Sequence, residues 1–410
     1  MSSTVPEGWS AVSLGDLCTF SGGNAFKDKY QGVRSGQYPF IKVSDMNLEG
    51  NERFIIKASN WINEEIRSEA KVKLFPSKSV VFAKVGAALL LNRRRILTRQ
   101  TAIDNNMMAA IPNSDDDNFL YYVLQDVDLG EIVQGGALPS VNQSQMKDIP
   151  ALVPPFPEQQ KIAAILSSVD DVIEKTRAQI DKLKDLKTGM MQELLAKGIG
   201  HAAFKDSPVG RIPEGWRVLR IGELLSERKQ KGEDGLPIYS VLMDGGMVPR
   251  STVERRVASE LESSDNRLVR KGDLAYNMMR MWQGASGIAP TDCLVSPAYV
   301  VCYPSKDIDS DFLGYMLKMP SAIQMLRRYS QGLTSDRLRL YFEHFKFIGF
   351  AIPPVEEQRR IASILRAIDD DIAKKNAQLS GREALKKALM QDLLTGKVRV
   401  NVDNKENAVA

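Results

Sequence analysis

The chain has 410 residues, a formal net charge of +4, three cysteines and two histidines. That length is enough for roughly two to three domains with cores of their own. No run approaches the roughly 18–20 apolar residues that cross a bilayer, and the first residues lack a signal-peptide core, so we expect a soluble cytoplasmic protein. Three scattered cysteines predict neither a disulfide framework nor a four-thiolate zinc site, and His201 and His344 offer no cluster for catalysis.

Two blocks of sequence occur twice. Val5-Pro6-Glu7-Gly8-Trp9 returns as Ile212-Pro213-Glu214-Gly215-Trp216. A longer block begins at Val153 and returns from Ile352, with roughly 20 of about 47 aligned positions identical. The chain is therefore a tandem duplication in the order globular segment, helix, globular segment, helix.

Each longer block predicts a long helix. Pro157 and Pro354 fit a helix start, and Glu158, Glu356 and Glu357 place negative charge in the first turn, where it suits the macrodipole. Apolar residues then recur at spacings of three and four over about 40 residues, which is typical of a coiled-coil seam on a rod of ~60 Å. If a pseudo-twofold axis relates the halves, the helices pack on each other in antiparallel orientation; alternatively, each packs only on its own globular domain. The predicted packing residues are Ile162, Ile165, Val169, Ile173, Ile180, Leu183, Ile361, Leu365, Ile368, Ile372 and Leu379.

The globular segments combine short β-rich runs with helical patches. Runs at 38–43, 79–85, 274–278 and 298–303 are bounded by Gly, Asn, Asp and Pro, and helical patterns occupy 118–129 and 310–329. The fold class is therefore α+β, with two pseudo-repeated α/β-mixed domains separated by two long antiparallel coiled-coil helices. The predicted boundaries are 1–152 and 201–351 for the globular domains (the latter with its linker), 153–200 and 352–398 for the helices, and 399–410 for a polar tail.

No catalytic signature is complete. Val153-Pro154-Pro155-Phe156 is similar to the Asn/Asp-Pro-Pro-Tyr/Phe motif of amino-methyltransferases, but neither Val153 nor its repeat Ile352 can accept a hydrogen bond from a base. The phosphate loop, the usual metal-nuclease motif and Gly-x-Ser-x-Gly are also missing. The sequence thus predicts no catalytic, cofactor-binding or metal site in this chain.

Arginine and amide side chains cluster in both globular segments. These residue types make the bidentate contacts that distinguish guanine and adenine, while Lys and further Arg suit phosphates. Ordinary solvent-exposed charge is the alternative for any single residue, and Trp282 is expected in the core. The DNA-binding candidates are Lys84, Asn92, Arg93, Arg94, Arg95, Arg99, Gln100, Asn105 and Gln134 in the first segment, and Lys271, Asn277, Arg280, Gln283, Arg327, Arg328, Gln331, Arg337 and Arg339 in the second.

Pro-Glu-Gly-Trp before each domain and Pro-Pro-x-x-Glu-Gln-x-x-Ile-Ala-x-Ile-Leu before each helix resemble the specificity subunit of Type I restriction–modification systems. The resemblance covers about residues 5–398. It implies a non-catalytic subunit whose two target recognition domains each read one half of a split sequence in double-stranded DNA. The helices would set the spacing between the half-sites and dock two modification subunits. Those partners, and a restriction subunit for cleavage, would hold S-adenosylmethionine, ATP and Mg.

Two other classes of function stay open on the residues alone. One is an enzyme, a fused methyltransferase or nuclease with cryptic motifs. The other is a scaffold whose helices and globular domains all bind protein. Salt-dependent DNA binding would separate the recognition subunit from the scaffold.

Overall fold

The computed structural model describes residues 5–113, 117–133, 138–253, 263–334 and 336–402. Contacts divide the chain into two compact units, the first made of residues 1–177 and 378–410 and the second of residues 178–377. Each unit therefore holds one globular domain, the first half of one long helix and the second half of the other. The domain boundaries predicted from the sequence stay a prediction.

The first globular domain is built on a five-stranded sheet with the order β2-β9-β6-β7-β4 and a three-stranded sheet with the order β5-β3-β8. Its strands are β1 (Ser10–Ser13), β2 (Cys18–Gly22), β3 (Tyr38–Ile41), β4 (Phe54–Ile55), β5 (Asn60–Ile62), β6 (Val80–Ala83), β7 (Arg95–Leu97), β8 (Ala102–Ile103), β9 (Met107–Pro112) and β10 (Pro150–Val153). Its helices are α1 (Leu14–Leu17), α2 (Glu64–Glu69), α3 (Asp117–Asp126), α4 (Leu129–Ile132) and α5 (Gln143–Lys147), followed by the long α6 (Phe156–Lys197).

The second globular domain has a four-stranded sheet with the order β14-β21-β18-β19 and four two-stranded ladders. Its strands are β11 (Phe204–Ser207), β12 (Gly210–Pro213), β13 (Arg217–Arg220), β14 (Leu225–Glu227), β15 (Tyr239–Val241), β16 (Met247–Pro249), β17 (Arg267–Val269), β18 (Leu274–Asn277), β19 (Ser286–Ile288), β20 (Cys293–Val295), β21 (Tyr299–Pro304) and β22 (Gly349–Ile352). Its helices are α7 (Ile221–Leu224), α8 (Ser310–Met316), α9 (Pro320–Tyr329) and α10 (Phe342–Phe345), followed by the long α11 (Val355–Leu393). The α+β class is confirmed.

The strands that open and close each domain pair with each other. In the first domain β1 pairs antiparallel with β10, and Ser10 lies opposite Val153. In the second, β13 pairs with β22, and Arg217 lies opposite Ile352. Each ladder brings a Pro-Glu-Gly-Trp motif next to the start of a long helix.

The two long helices run antiparallel within each unit. In the first unit, Lys386 of α11 lies 2.7 Å from Asp170 of α6, and Glu383 lies 2.5 Å from Arg177. In the second, Lys187 of α6 lies 2.6 Å from Asp369 of α11. Residue numbers thus rise along one helix while they fall along the other.

Every predicted packing residue of the helices is at least half-buried. Ile162 and Leu166 of α6 share one apolar core with the first domain and with Leu393 of α11, so α6 packs both on its own domain and on the other helix. Coiled-coil packing along the full helices stays a prediction. The buried members are Ile162, Ile173, Ile180, Ile361 and Leu365, and the half-buried members are Ile165, Val169, Leu183, Ile368, Ile372 and Leu379.

A buried carboxylate joins the two repeated motifs in each unit. The Trp9 indole Nε1 donates to Glu158 at 3.1 Å, and the Trp216 indole donates to Glu357 at 3.2 Å. Both carboxylates lie in the first turn of a long helix and are buried. We call each Trp–Glu pair, with its further partners, a Trp–Glu cluster. The motifs recur in the sequence because each supplies one partner of the same buried hydrogen bond.

The third partner of the cluster differs between the units. Arg399 donates to both oxygens of Glu158, at 2.8 and 2.9 Å. In the second unit, His201 Nε2 lies 2.7 Å from Glu357, and the Ile199 amide donates to the same oxygen at 2.9 Å. His201 therefore belongs to a buried cluster, although the sequence suggested only a linker position.

Acid should weaken the first cluster. Burial acts to raise the pKa of Glu158, but the hydrogen bonds and charge of Arg399, with the Trp9 indole, outweigh it and hold that pKa below the ordinary value of 4.5. A depressed pKa stabilises the fold above the unfolded-state value, and that contribution is lost as the pH falls through the folded-state value. We expect the urea concentration at the unfolding midpoint of the wild-type chain to decrease as the pH is lowered below about 4.5. The same decrease should be less steep in Glu158→Gln. Equal pH dependence in the two proteins would contradict this.

Candidate nucleic-acid interface

Arg94, a predicted DNA contact, is instead a buried structural residue. Its side chain is 0% exposed, its guanidinium lies 5.2 Å from the centre of the Phe82 ring, and it donates to the Val127 carbonyl at 3.0 Å. Burial lowers the pKa of Arg94 to about 10, against the opposing charges of Tyr121 and Asp128. The prediction of a DNA contact is wrong for this residue because a guanidinium closed off from solvent cannot reach a base or phosphate.

Arg95 and Asn92 are half-buried, and both make hydrogen bonds within the domain. Arg95 donates to the carbonyls of Arg94 and Met46, at 2.7 and 3.0 Å. The Asn92 amide donates to Asp128 at 2.6 Å and accepts from the Leu129 amide at 2.9 Å, with φ of 51°. Asn tolerates this left-handed conformation better than most residues. Both side chains therefore shape the loop before β7, and their assignment as base-reading residues stays a prediction.

The remaining candidates of the first domain are scattered. Arg93, Arg99, Gln100 and Asn105 are exposed. Arg93 donates to Asn47, and the Arg99 guanidinium lies 5.9 Å from the centre of the Trp61 ring. Half-buried Lys84 lines a separate open cavity of about 440 Å³, together with Asn142, Gln143 and Ser144. Gln134 lies outside the described residues.

In the second domain the structure brings five predicted contacts to one open groove of about 980 Å³. The loop after β18 contributes one wall, and the segment before α10 contributes the other. Within that second segment, Gln331 and Arg339 pair as an isolated antiparallel bridge. Asp336 is the only carboxylate among the described groove residues. The five contacts are Arg280, Gln283, Gln331, Arg337 and Arg339, and all are exposed.

Trp282 is a groove residue that the sequence did not predict. Its indole is half-buried, donates to the Met279 carbonyl at 3.1 Å, and has the Arg327 guanidinium 5.5 Å from its ring centre. The expectation of a core position for Trp282 is therefore wrong in part. Its position in the sequence between Arg280 and Gln283 could have indicated a groove position, because an aromatic face beside arginine and amide groups can stack on a base.

A half-buried lysine holds one wall of the groove. Lys318, two residues after α8, donates to the Met243 carbonyl and, at 2.6 Å, to the Gly284 carbonyl. Burial lowers the pKa of Lys318, against the charge of Asp244. Its ammonium therefore ties the loop that carries Gln283 to a second loop at 243.

The other candidates of the second domain lie away from the groove lining. Asn277 accepts from the Met279 amide at 2.9 Å, so its side chain closes the turn that leads into the groove wall. Exposed Lys271 donates its backbone amide to Asp292 at 2.8 Å. Arg328 lines a different cleft, of about 500 Å³, between α9 and β22. None of these three is placed by the structure in the groove.

The described residues hold no group of three or more His, Cys, Asp and Glu side chains that could ligate a metal. The cysteines Cys18, Cys293 and Cys302 are buried and unpaired with each other. No helix in the described ranges has the length and apolar composition to cross a membrane. The open groove of arginine and amide side chains offers the kinds of group that contact the bases and phosphates of DNA.

The comparison with family models supports the same class. Residues 6–185 and 213–380 match the Type I restriction modification DNA specificity domain. The chain belongs to this family of specificity subunits. It carries two DNA specificity domains, and the family's catalytic activities reside in partner subunits.

Named relatives cover nearly the whole chain. The chain is 27% identical to the Type I restriction enzyme MjaVIII specificity subunit of Methanocaldococcus jannaschii, over 97% of this chain and 94% of that protein. It is 24% identical to the MjaIX specificity subunit of the same organism, over 97% and 95%.

Two solved structures share the fold. One is the S subunit of a Type I restriction–modification system from M. genitalium, 14% identical, with a TM-score of 0.57 over 94% of this chain and 96% of that one. The other comes from a study of complex assembly and conformational transition of the type I R-M system. It is 16% identical, with a TM-score of 0.57 over 96% and 100%.

Proposed function

We propose that each globular domain reads one half of a bipartite sequence in double-stranded DNA. The observation that carries this for the second domain is the groove, where five predicted contacts converge around Trp282. Guanidinium and amide groups supply bidentate base contacts, and the surplus positive charge suits the phosphates. The exposed Arg93, Arg99, Gln100 and Asn105 are the corresponding candidates of the first domain.

The repeated helices suit a repeated task. Two copies of one helix sequence fit two identical partners, and we assign them the docking of two modification subunits and the spacing of the half-sites. The methyl donor S-adenosylmethionine belongs to those partners in this proposal, and ATP and Mg belong to a restriction subunit. The localisation that follows is cytoplasmic, where the DNA is.

Exchange of one domain tests this assignment. If residues 1–152 are replaced by the equivalent domain of another family member, one half of the methylated motif should change and the other should stay. The measurement is methylation-motif sequencing of cells that express the exchanged chain with its modification subunits. A motif that changes in both halves, or in neither, would contradict the division of labour.

The reciprocal exchange is the control. Replacing 201–351 alone should alter only the half that the first exchange leaves unchanged. The ladders β1–β10 and β13–β22 end at Val153 and Ile352, one residue beyond these boundaries, so each exchange is extended by that residue to keep its ladder intact.

A further inference from the structure

A three-residue contact fixes the first globular domain to both long helices. The Tyr122 hydroxyl of α3 donates to Asp170 Oδ2 of α6 at 2.8 Å. Lys386 of α11 lies 2.7 Å from the other oxygen, Asp170 Oδ1, and 5.5 Å from the centre of the Tyr122 ring. One carboxylate therefore joins three elements: a helix of the domain and the two long helices.

The same contact recurs in the second unit, atom for atom. The Tyr315 hydroxyl of α8 donates to Asp369 Oδ2 of α11 at 2.7 Å. Lys187 of α6 lies 2.6 Å from Asp369 Oδ1 and 5.4 Å from the centre of the Tyr315 ring. In the first unit α6 supplies the aspartate and α11 the lysine, whereas in the second unit α11 supplies the aspartate and α6 the lysine. We call each set a Tyr–Asp–Lys triad.

The triads differ in burial. The side chains of Asp170 and Lys386 are 11% and 16% exposed, whereas those of Asp369 and Lys187 are 36% and 28% exposed. Burial, followed by the charge of Asp170, raises the pKa of Tyr122, so its hydroxyl stays protonated and able to donate. Burial, then the bond to Asp369, does the same for Tyr315.

A second link lies beside each triad, and it is built differently in the two units. In the first, the buried Arg53 donates to Asn118 of α3 at 3.2 Å and to Ser167 of α6 at 2.6 Å. In the second, Arg366 of α11 makes a direct ion pair with Asp311 of α8. The arginine comes from the domain in the first unit and from the long helix in the second. In both units, however, it joins a domain helix (α3 or α8) to the long helix that follows that domain (α6 or α11).

We propose that the Tyr–Asp–Lys triads are positioning devices, which hold each recognition domain at one angle on its helix pair and so restrict the half-site spacing that the subunit accepts. Apolar packing is non-directional and permits small rotations, whereas hydrogen bonds weaken steeply away from their preferred angles. Two bonds to different oxygens of one carboxylate fix the domain helix against both long helices. This inference rests on the proposed reading of two half-sites.

The test uses Tyr122→Phe, Tyr315→Phe and the double variant, each as the full chain in complex with its modification subunits. Substrates are duplexes with the two half-sites at the native spacing, or with one base pair added or removed. Loss of one directional bond should raise the ratio of off-spacing to native-spacing methylation by roughly fivefold for each single variant, and by more for the double variant. The native-spacing rate should change less than about twofold.

Tyr121→Phe is the matched control. Its hydroxyl accepts from Gln125 of the same helix, at 2.7 Å, so the substitution removes a part-buried hydrogen bond and leaves in place the bond that Gln125 accepts from Lys386 of α11, at 2.9 Å. The spacing ratio of Tyr121→Phe should equal that of the wild type. A raised ratio in this control would show general loosening and would overturn the positioning role.

Two failures remain distinguishable. If the wild-type complex methylates no bipartite sequence, the proposed function fails, and the inference fails with it. If the wild-type complex does so but the Phe variants lose only thermal stability and keep the wild-type spacing ratio, the triads are merely structural and the inference alone is overturned.

Discussion

Substitution of Arg280, Arg337 and Arg339 together by Ala should weaken binding to DNA that carries the second half-site on the order of 100-fold near 0.1 M salt. These guanidinium groups line one groove, and no carboxylate in the described part of the chain forms an ion pair with them. Each phosphate contact that is lost lowers the slope of log affinity against log salt by about 0.9. The triple variant should therefore have a slope smaller by roughly 2.5 to 3.

A fluorescence titration of the assembled complex at several salt concentrations measures both quantities. The charge-matched control replaces Arg211, Arg217 and Arg220, which are exposed on the same domain but outside the groove. That control should keep the wild-type salt slope to within about one phosphate contact. A triple groove variant with an unchanged slope would remove these residues from the DNA-contacting surface.

The long helices were predictable from the sequence because their signals are local and repeated. The duplicated block and its apolar spacing predict helices at 153–200 and 352–398, and the structure has them at Phe156–Lys197 and Val355–Leu393. The antiparallel pairing within each unit follows from the duplication. Which residues pair across the helices, Asp170 with Lys386 and Asp369 with Lys187, was not predictable, because these contacts join residues more than 180 positions apart.

The candidate interface was predictable only in part, because residue type does not determine exposure. The run Arg93-Arg94-Arg95 looks like one basic patch, but β7 starts at Arg95 and the chain direction there sends the Arg94 side chain onto Phe82. In the second domain five of the predicted residues lie on loops or in a short helical turn, where side chains are free to face solvent, and these five line the groove. Trp282 was misassigned since a lone aromatic residue is usually buried.

The function of the Pro-Glu-Gly-Trp motif also became clear only in the structure. Trp9 and Glu158 are 149 positions apart, so no local pattern links them. Their hydrogen bond explains why the repeated blocks flank each domain. The strand ladder brings the motif that precedes the domain next to the start of the helix that follows it.

Glu357→Ala should lower the free energy of unfolding by roughly 3 kcal/mol. The carboxylate accepts from the Trp216 indole, the Ile199 amide and the His201 ring, so its removal leaves several polar groups without their acceptor. The Trp216 side chain is 0% exposed, and its N–H cannot turn to water instead. An unmet buried donor costs more than the lost bond itself contributes.

Glu356 provides a neighbouring control. It is the preceding residue of α11, its side chain is 82% exposed, and among the described residues it pairs with Arg359, one turn along the helix. Glu356→Ala should therefore change the unfolding free energy by less than about 0.5 kcal/mol in urea titrations. Hydrogen exchange should rise in Glu357→Ala at residues 199–216 and stay unchanged there in Glu356→Ala. Equal destabilisation by the two substitutions would mean that the buried Trp–Glu bond does not hold the start of α11 to its domain.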